Sequence, residues 1–251
     1  MNGLARMVAL AALALLGPAL AGAQQPWILK EGQHHMKFAS KDPAMLGGGF
    51  LLFLPKGYEQ GKWPLVVFLH GRAESGTNLD EMRKRGGLPR WVDRNPDFGF
   101  IVASPQLPGT AHWFDPAALN DFLDQLLARL PMIDAERIYL SGISMGGAGA
   151  WTWAAASPER FAAVVPIAGT FFDAERSCAL KSLPIWAFHN DLDPVVGVEK
   201  SEKLIGAVNA CGGSAKLTVF PNRQAHDAWS AAYAKPDLFE WLLSHKRRAP
   251  Q

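Results

Sequence analysis

Short apolar runs bounded by glycine and proline recur along the chain, at residues 49–54, 64–69, 98–104, 137–142, 162–168, 184–189 and 215–220. Runs of this length, apolar at consecutive rather than alternate positions, predict strands buried on both faces of a sheet. Between them the period lengthens. Residues 116–130 carry Leu119, Phe122, Leu123, Leu126, Leu127 and Leu130 at three- and four-residue steps, and similar patterning predicts helices over 78–94, 145–157, 199–210 and 237–246. A chain that alternates strand with helix in this way predicts an α/β fold, with a mainly parallel sheet and helices on both faces. No repeat, linker or low-complexity stretch divides it.

The N-terminal pattern is of another kind. Arg6 precedes an unbroken apolar run over residues 7–16, and Ala21-Gly22-Ala23 has the small-residue form of a cleavage site. This predicts a secretory signal over residues 1–23, whose removal from 251 residues leaves a single domain of 228, residues 24–251. Ten apolar residues before Gly17-Pro18 fall short of the ~20 needed to span a bilayer. The expectation is therefore export to the periplasm or beyond, without stable membrane insertion. Composition narrows the partners: 25 Lys+Arg against 23 Asp+Glu offers no basic footprint for nucleic acid, and 49% hydrophobic residues exclude a disordered chain. No Cys/His cluster has the spacing of a zinc site, so neither metal nor cofactor is expected. Export permits Cys178 and Cys211 to pair, but sequence leaves disulfide and free thiols equally open.

The chemistry starts where a predicted strand meets a predicted helix. Gly142-Ile143-Ser144-Met145-Gly146-Gly147 satisfies G-x-S-x-G at that junction, the context in which the motif lifts a serine hydroxyl clear of the sheet on a sharp turn. The glycines leave room beside it, and the Met145 amide at the helix start can donate to an oxyanion. The competing reading is an ordinary N-cap serine. A serine needs a base, and the base an orienting carboxylate. Downstream, Asp191 and Asp193 follow one predicted strand and His226 follows the next, giving the order Ser, Asp, His. His245 sits in a basic tail, His189 ends a strand where a packed role is expected, and His34 and His35 are expected at the surface. From the residues alone either aspartate serves.

From about residue 49 to residue 243 the sequence resembles uncapped α/β-hydrolases of the phospholipase/carboxylesterase and dienelactone-hydrolase-like group, especially exported esterases often labelled predicted peptidases. The resemblance rests on His70-Gly71-Arg72 after an apolar strand, Ser104-Pro105-Gln106, the Ser144 elbow, the loop from His189 through Asp193 to Val196, and His226-Asp227-Ala228-Trp229. The group's acid loop, H-G-x-x-D-x-x-V, aligns Asp193 as the acid and leaves Asp191 a loop-stabilising role. Asn190 and Ala225 stand where that group has glycine, which puts the loop geometry at issue. The resemblance also implies that the Arg72 amide is the second oxyanion donor. The Arg72 side chain is expected to pair with Glu74, the alternative being a guanidinium that attracts an acidic substrate.

Only fifteen residues, 169–183, separate two predicted strands where capped relatives insert a lid, so the site is expected to be open and suited to small esters or to ester groups on bulky molecules. Trp113, Phe171 and Trp229 are candidates to line it. The activity implied is ester hydrolysis through an acyl-enzyme, with a serine peptidase and a non-catalytic binding protein on the same fold as the alternatives.

Overall fold

The computed structural model describes residues 26–44, 46–170 and 174–247. The predicted signal, residues 1–23, and Phe171 lie outside them. Eight strands form one sheet: β1 (Gly32–Lys37), β2 (Gly49–Leu54), β3 (Trp63–Leu69), β4 (Ile101–Pro105), β5 (Ile133–Ile143), β6 (Ala163–Ile167), β7 (Trp186–Asn190) and β8 (Lys216–Phe220). Their spatial order is β1-β2-β4-β3-β5-β6-β7-β8. The β1–β2 and β2–β4 pairs are antiparallel and every later pair is parallel.

Because successive side chains on a strand point to opposite faces, the parallel strands feed two cores. On β3, Leu65, Val67 and Leu69 enter one cluster while Val66 and Phe68 enter the other. The first is covered by α3 (Pro116–Arg129), α4 (Met145–Ala156) and α5 (Glu199–Ala210), through Phe122, Trp151, Trp153 and Leu204. The second is covered by α2 (Gly87–Arg94), α6 (Trp229–Tyr233) and α7 (Pro236–Leu243), through Val92, Tyr233 and Leu238. Each fully buried Phe or Leu contributes roughly 1.5–3 kcal/mol. The start of α3 is fixed by Asp115, whose carboxylate accepts from the Ala117 and Ala118 amides at 3.0 and 3.1 Å, with Pro116 at the first helical position.

The structure departs from the sequence reading in three places. The helix predicted over 78–94 is two helices, α1 (Asp80–Arg85) and α2, broken where Gly86 and Gly87 take φ of 152° and 66°. The edge strand β1 and the short α6 had no apolar period to announce them. The connection between β6 and β7 holds, among its described residues, a 3-10 segment, Ala174–Leu180, and no cap. Cys178 in that segment and Cys211 after α5 form a disulfide. Closing a loop of 33 residues restricts the unfolded chain by roughly 3–4 kcal/mol. No helix among the described residues is long and apolar enough to cross a membrane.

Candidate active site

Four loops that leave the carboxyl ends of β3, β5, β7 and β8 converge, the edge at which open α/β sheets bind ligands. Ser144 directly follows β5 with φ 51° and ψ −116°, a conformation that costs a non-glycine residue roughly 1–3 kcal/mol. It is held there by close backbone packing. Its amide donates to Ile167 O at the end of β6 (2.9 Å), and a Cβ on Gly146 would stand 1.9 Å from Leu69 O at the end of β3. A Cβ on Gly142 would stand 2.1 Å from Gly146 O, so both motif glycines are required by space. The Ser144 side chain makes no N-cap hydrogen bond. The hydroxyl is directed instead at His226, Oγ donating to Nε2 at 2.8 Å.

The other ring nitrogen of His226, Nδ1, donates to Asp193 Oδ2 at 2.7 Å. Asp193 is itself fixed by the amides of Val195 (2.9 Å) and Val196 (3.0 Å), which donate to Oδ1. Burial alone pushes that carboxyl up, yet the two amides and the imidazole outweigh it and hold Asp193 below its ordinary value, ionised. Asp191 faces the other way, accepting from the Asn222 and Arg223 amides at 2.7 and 3.0 Å, so it ties the β7 and β8 loops together. The two substitutions for glycine leave the geometry intact. Neither Asn190 nor Ala225 has positive φ, and the Asn190 Nδ2 donates to Ala225 O at 2.8 Å, bracing the residue next to His226. Sequence reasoning missed that brace; its one signal was an amide where the related loops have no side chain.

His189 is buried, its Nε2 donating to Val196 O (2.9 Å) and its Nδ1 accepting from Ser201 Oγ (2.7 Å), the packed role expected of it. Desolvation keeps its pKa below the ordinary value. His70 does the same work under the β3 loop. Its Nε2 accepts from the Leu107 amide (3.0 Å), which leaves the proton on Nδ1 to donate to Gly71 O (2.6 Å). Burial lowers its pKa to about 4, so it is neutral and structural.

The loop after β3 continues as a 3-10 turn, Arg72–Glu74, and here two expectations are corrected. Arg72 does not pair with Glu74. At three residues per turn, side chains two apart point in divergent directions. Glu74 is buried, with its carboxyl pushed up mainly by desolvation, whereas Arg72 reaches outward to the ring of His112, Nη2 to Nε2 3.2 Å. Trp113 does not line the site either: it is 1% exposed, with Nε1 donating to His70 O (2.8 Å) beneath the loop. Trp229 does stand at the cleft, its indole edge-on to the His226 ring with centroids 5.5 Å apart.

The resulting cleft encloses about 330 Å³ and is walled by Gly71, Arg72, Ser144, Met145, Val195, His226 and Trp229, among others. The amides of Arg72 and Met145 begin a 3-10 turn and a helix, positions whose N–H groups lack intrahelical acceptors, and both residues border it. A larger cavity of about 670 Å³, beside β1 and β2, is lined by Thr77, His35 and Asp80 among others, but His35 turns Nε2 to Asp80 (3.1 Å) and makes no hydrogen bond to the Thr77 hydroxyl among the described residues. Size does not select the site; the Ser144–His226–Asp193 line does.

Comparison with known proteins agrees with the fold. A solved structure of a thermostable esterase is 33% identical, with a TM-score of 0.71 over 85% of this chain and 63% of its own. Est1E from Butyrivibrio proteoclasticus, at 16% identity, has a TM-score of 0.63 over 85% of this chain and 98% of its own, and shares the fold. So does the acylaminoacyl peptidase of Pyrococcus horikoshii, at 17% identity and a TM-score of 0.63, over 89% of this chain and 43% of its own. By sequence, the dihydrolipoyllysine-residue acetyltransferase component of the acetoin cleaving system of Pseudomonas putida is 25% identical over 260 residues, 91% of this chain and 66% of that protein. The chain thus spans just under two thirds of the length of the esterase and of the acetyltransferase component. The sequence profile of the alpha/beta hydrolase fold matches residues 64–205, more than half of the chain. The protein belongs to the alpha/beta hydrolase fold family.

Proposed function

We propose that the protein is a serine hydrolase that cleaves carboxylic esters through Ser144, His226 and Asp193. The observation that carries this reading is the unbroken hydrogen-bonded line from Ser144 Oγ through both nitrogens of His226 to Asp193. In it His226 carries its proton on Nδ1, toward the carboxylate, and offers the Nε2 lone pair to the hydroxyl, the tautomer a general base needs. As His226 takes the proton, Ser144 Oγ attacks the ester carbon, and the Arg72 and Met145 amides receive the charge that develops on its oxygen. Asp193, ionised, stabilises the imidazolium. His226 then gives the proton to the departing alkoxide, and water hydrolyses the acyl-enzyme by the same relay in reverse. The similarity to the thermostable esterase favours an ester over an amide, and the uncapped cleft favours small esters or ester groups at the surface of larger molecules.

A fluorophosphonate probe should label the native protein at neutral pH and fail to label Ser144→Ala. Turnover of 4-nitrophenyl esters from acetate to octanoate should disappear with that hydroxyl, and peptide amides should be cleaved far more slowly or not at all. Labelling without ester turnover, or peptide cleavage that outruns it, would overturn the ester reading.

Export is part of the same proposal. Arg6, the apolar run over 7–16 and Ala21-Gly22-Ala23 support a cleaved signal, and the Cys178–Cys211 disulfide suits an oxidising compartment. N-terminal sequencing of the mature protein should begin at Gln24; a retained Met1 would refute it.

A further inference from the structure

Trp229 lines two cavities: the cleft that holds Ser144 and His226, and a separate one of about 390 Å³ lined by Arg85, Arg90, Trp91, Arg94 and Asp227 among others. Three guanidinium groups against one carboxylate make this the most cationic recess among the cavities described. Arg90 and Arg94, four residues apart on α2, share a helix face. Arg85 is engaged by Glu81 (2.9 Å), but neither Arg90 nor Arg94 has an acidic partner among the described residues. The single acid, Asp227, is occupied by the amide and hydroxyl of Ser230 (2.9 and 2.8 Å). The Trp229 indole nitrogen also faces this side, standing 3.0 Å from where a Cβ on Gly86 would lie. The cationic side chains of the recess left without an acidic partner among the described residues are thus Arg90 and Arg94.

We infer that this recess is a subsite for a carboxylate borne by the substrate, so that the enzyme prefers esters carrying an anionic group on the part that extends past Trp229. The inference rests on the ester-hydrolase reading of the Ser144 cleft. Two guanidinium forks without internal partners match a carboxylate in charge and in hydrogen-bond geometry. The cleft itself carries one group of each sign, Arg72 and Glu74, so the attraction is assigned to the recess. Trp229 lines both the cleft and the recess, so the substrate inferred is one whose carboxylate-bearing part passes this indole.

The test compares matched pairs. Mono(4-nitrophenyl) esters of glutaric, adipic and suberic acid would be set against the same compounds with the free carboxyl capped as the primary amide, which probes the acyl side. 4-Carboxybenzyl acetate against 4-carbamoylbenzyl acetate probes the leaving-group side. The expected result is a kcat/KM ratio of acid to amide of about tenfold or more for at least one pair at low ionic strength, carried by KM and reduced in 0.5 M NaCl. In Arg90→Gln/Arg94→Gln that ratio should fall toward one, with turnover of the amide-capped ester reporting that the variant is folded. Lys203→Gln, a surface cation on α5, should leave the ratio as in the native enzyme. A native ratio at or below one for every pair, or a ratio that survives the double substitution, overturns the subsite. Hydrolysis of the amide-capped esters that depends on Ser144 would then still uphold the ester reading, whereas hydrolysis of no compound by the folded enzyme would overturn both.

Discussion

The loop after β3 and the loop after β8 each place a histidine at the carboxyl edge of the same sheet, and the two do opposite work. His70 is fully buried and spends both nitrogens on backbone, one on the Leu107 amide and one on Gly71 O. His226 keeps 20% of its side chain exposed and spends only Nδ1 on support, from Asp193, leaving Nε2 to the Ser144 hydroxyl. Burial with two fixed partners makes an imidazole a strut. Partial exposure with one carboxylate partner and one mobile hydroxyl suits it to the base role proposed for it.

The largest expected effect is on the β8 side. His226→Ala should lower kcat by on the order of 10⁵–10⁶-fold while thermal unfolding moves little, because the ring is partly exposed and supports no backbone group. Steady-state hydrolysis of a 4-nitrophenyl ester with a parallel melting curve checks both halves, and a loss below a hundredfold would break the contrast. Asp193→Asn should cost about 10⁴-fold. Its amide nitrogen would face His226 Nδ1 and force the proton onto Nε2, where it blocks the Ser144 hydroxyl.

On the β3 side the currency is stability. His70→Ala should destabilise by roughly 3–5 kcal/mol, since it opens a cavity and orphans the Leu107 amide and the Gly71 carbonyl. For a chain of this size that lowers Tm by about 10 °C or more, and calorimetry would show it. Acid provides a gentler probe of the same strut. The folded chain keeps His70 neutral down to about 4, whereas the unfolded chain protonates it near 6.5, so stability that is full above pH 6.5 declines toward pH 4. This group alone accounts for about 3 kcal/mol across that window. Urea melts between pH 4 and 7 should show that slope in the native protein and lose it in His70→Asn.

The smallest effect sharpens the comparison within one loop. Glu74 has its carboxyl raised by burial, so its contribution to stability is full below the unfolded value of 4.5 and is lost as pH rises through the raised folded value. Glu74→Gln should therefore be stabilising at pH 8 and neutral at pH 4, measured as the difference in Tm at the two pH values.

The strands that form the centre of the sheet were legible because both of their faces are buried, which makes them apolar at every position. β2 starts and ends where its apolar run does, Gly49–Leu54. The edge strand β1 reads Gly-Gln-His-His-Met-Lys and is half exposed along its length, so its pairing with β2 comes from backbone hydrogen bonds that leave no apolar trace. The meeting of Ser144, Asp193 and His226 was legible from order and strand placement, since each follows a strand of one sheet. What was not legible was direction. A tryptophan on a loop can turn outward, as Trp229 does, or inward under the chain, as Trp113 does, and only the path of the backbone around His70 decides. The turn after β3 likewise sends Arg72 out and Glu74 in, which their nearness in sequence conceals.

The Ser144 turn is wedged among the ends of three strands: its amide is fixed to β6, Gly146 lies against the last carbonyl of β3, and the chain enters from β5. The proposed nucleophile therefore has no local way to relax. Its conformation depends on the assembled middle of the sheet, so the ester turnover proposed for Ser144 should, in rising denaturant, count molecules whose central strands are intact. The outer strand β1 can open and exchange its amide hydrogens without that count changing. On the proposed function, activity should follow the unfolding of the sheet's centre and not the opening of its rim.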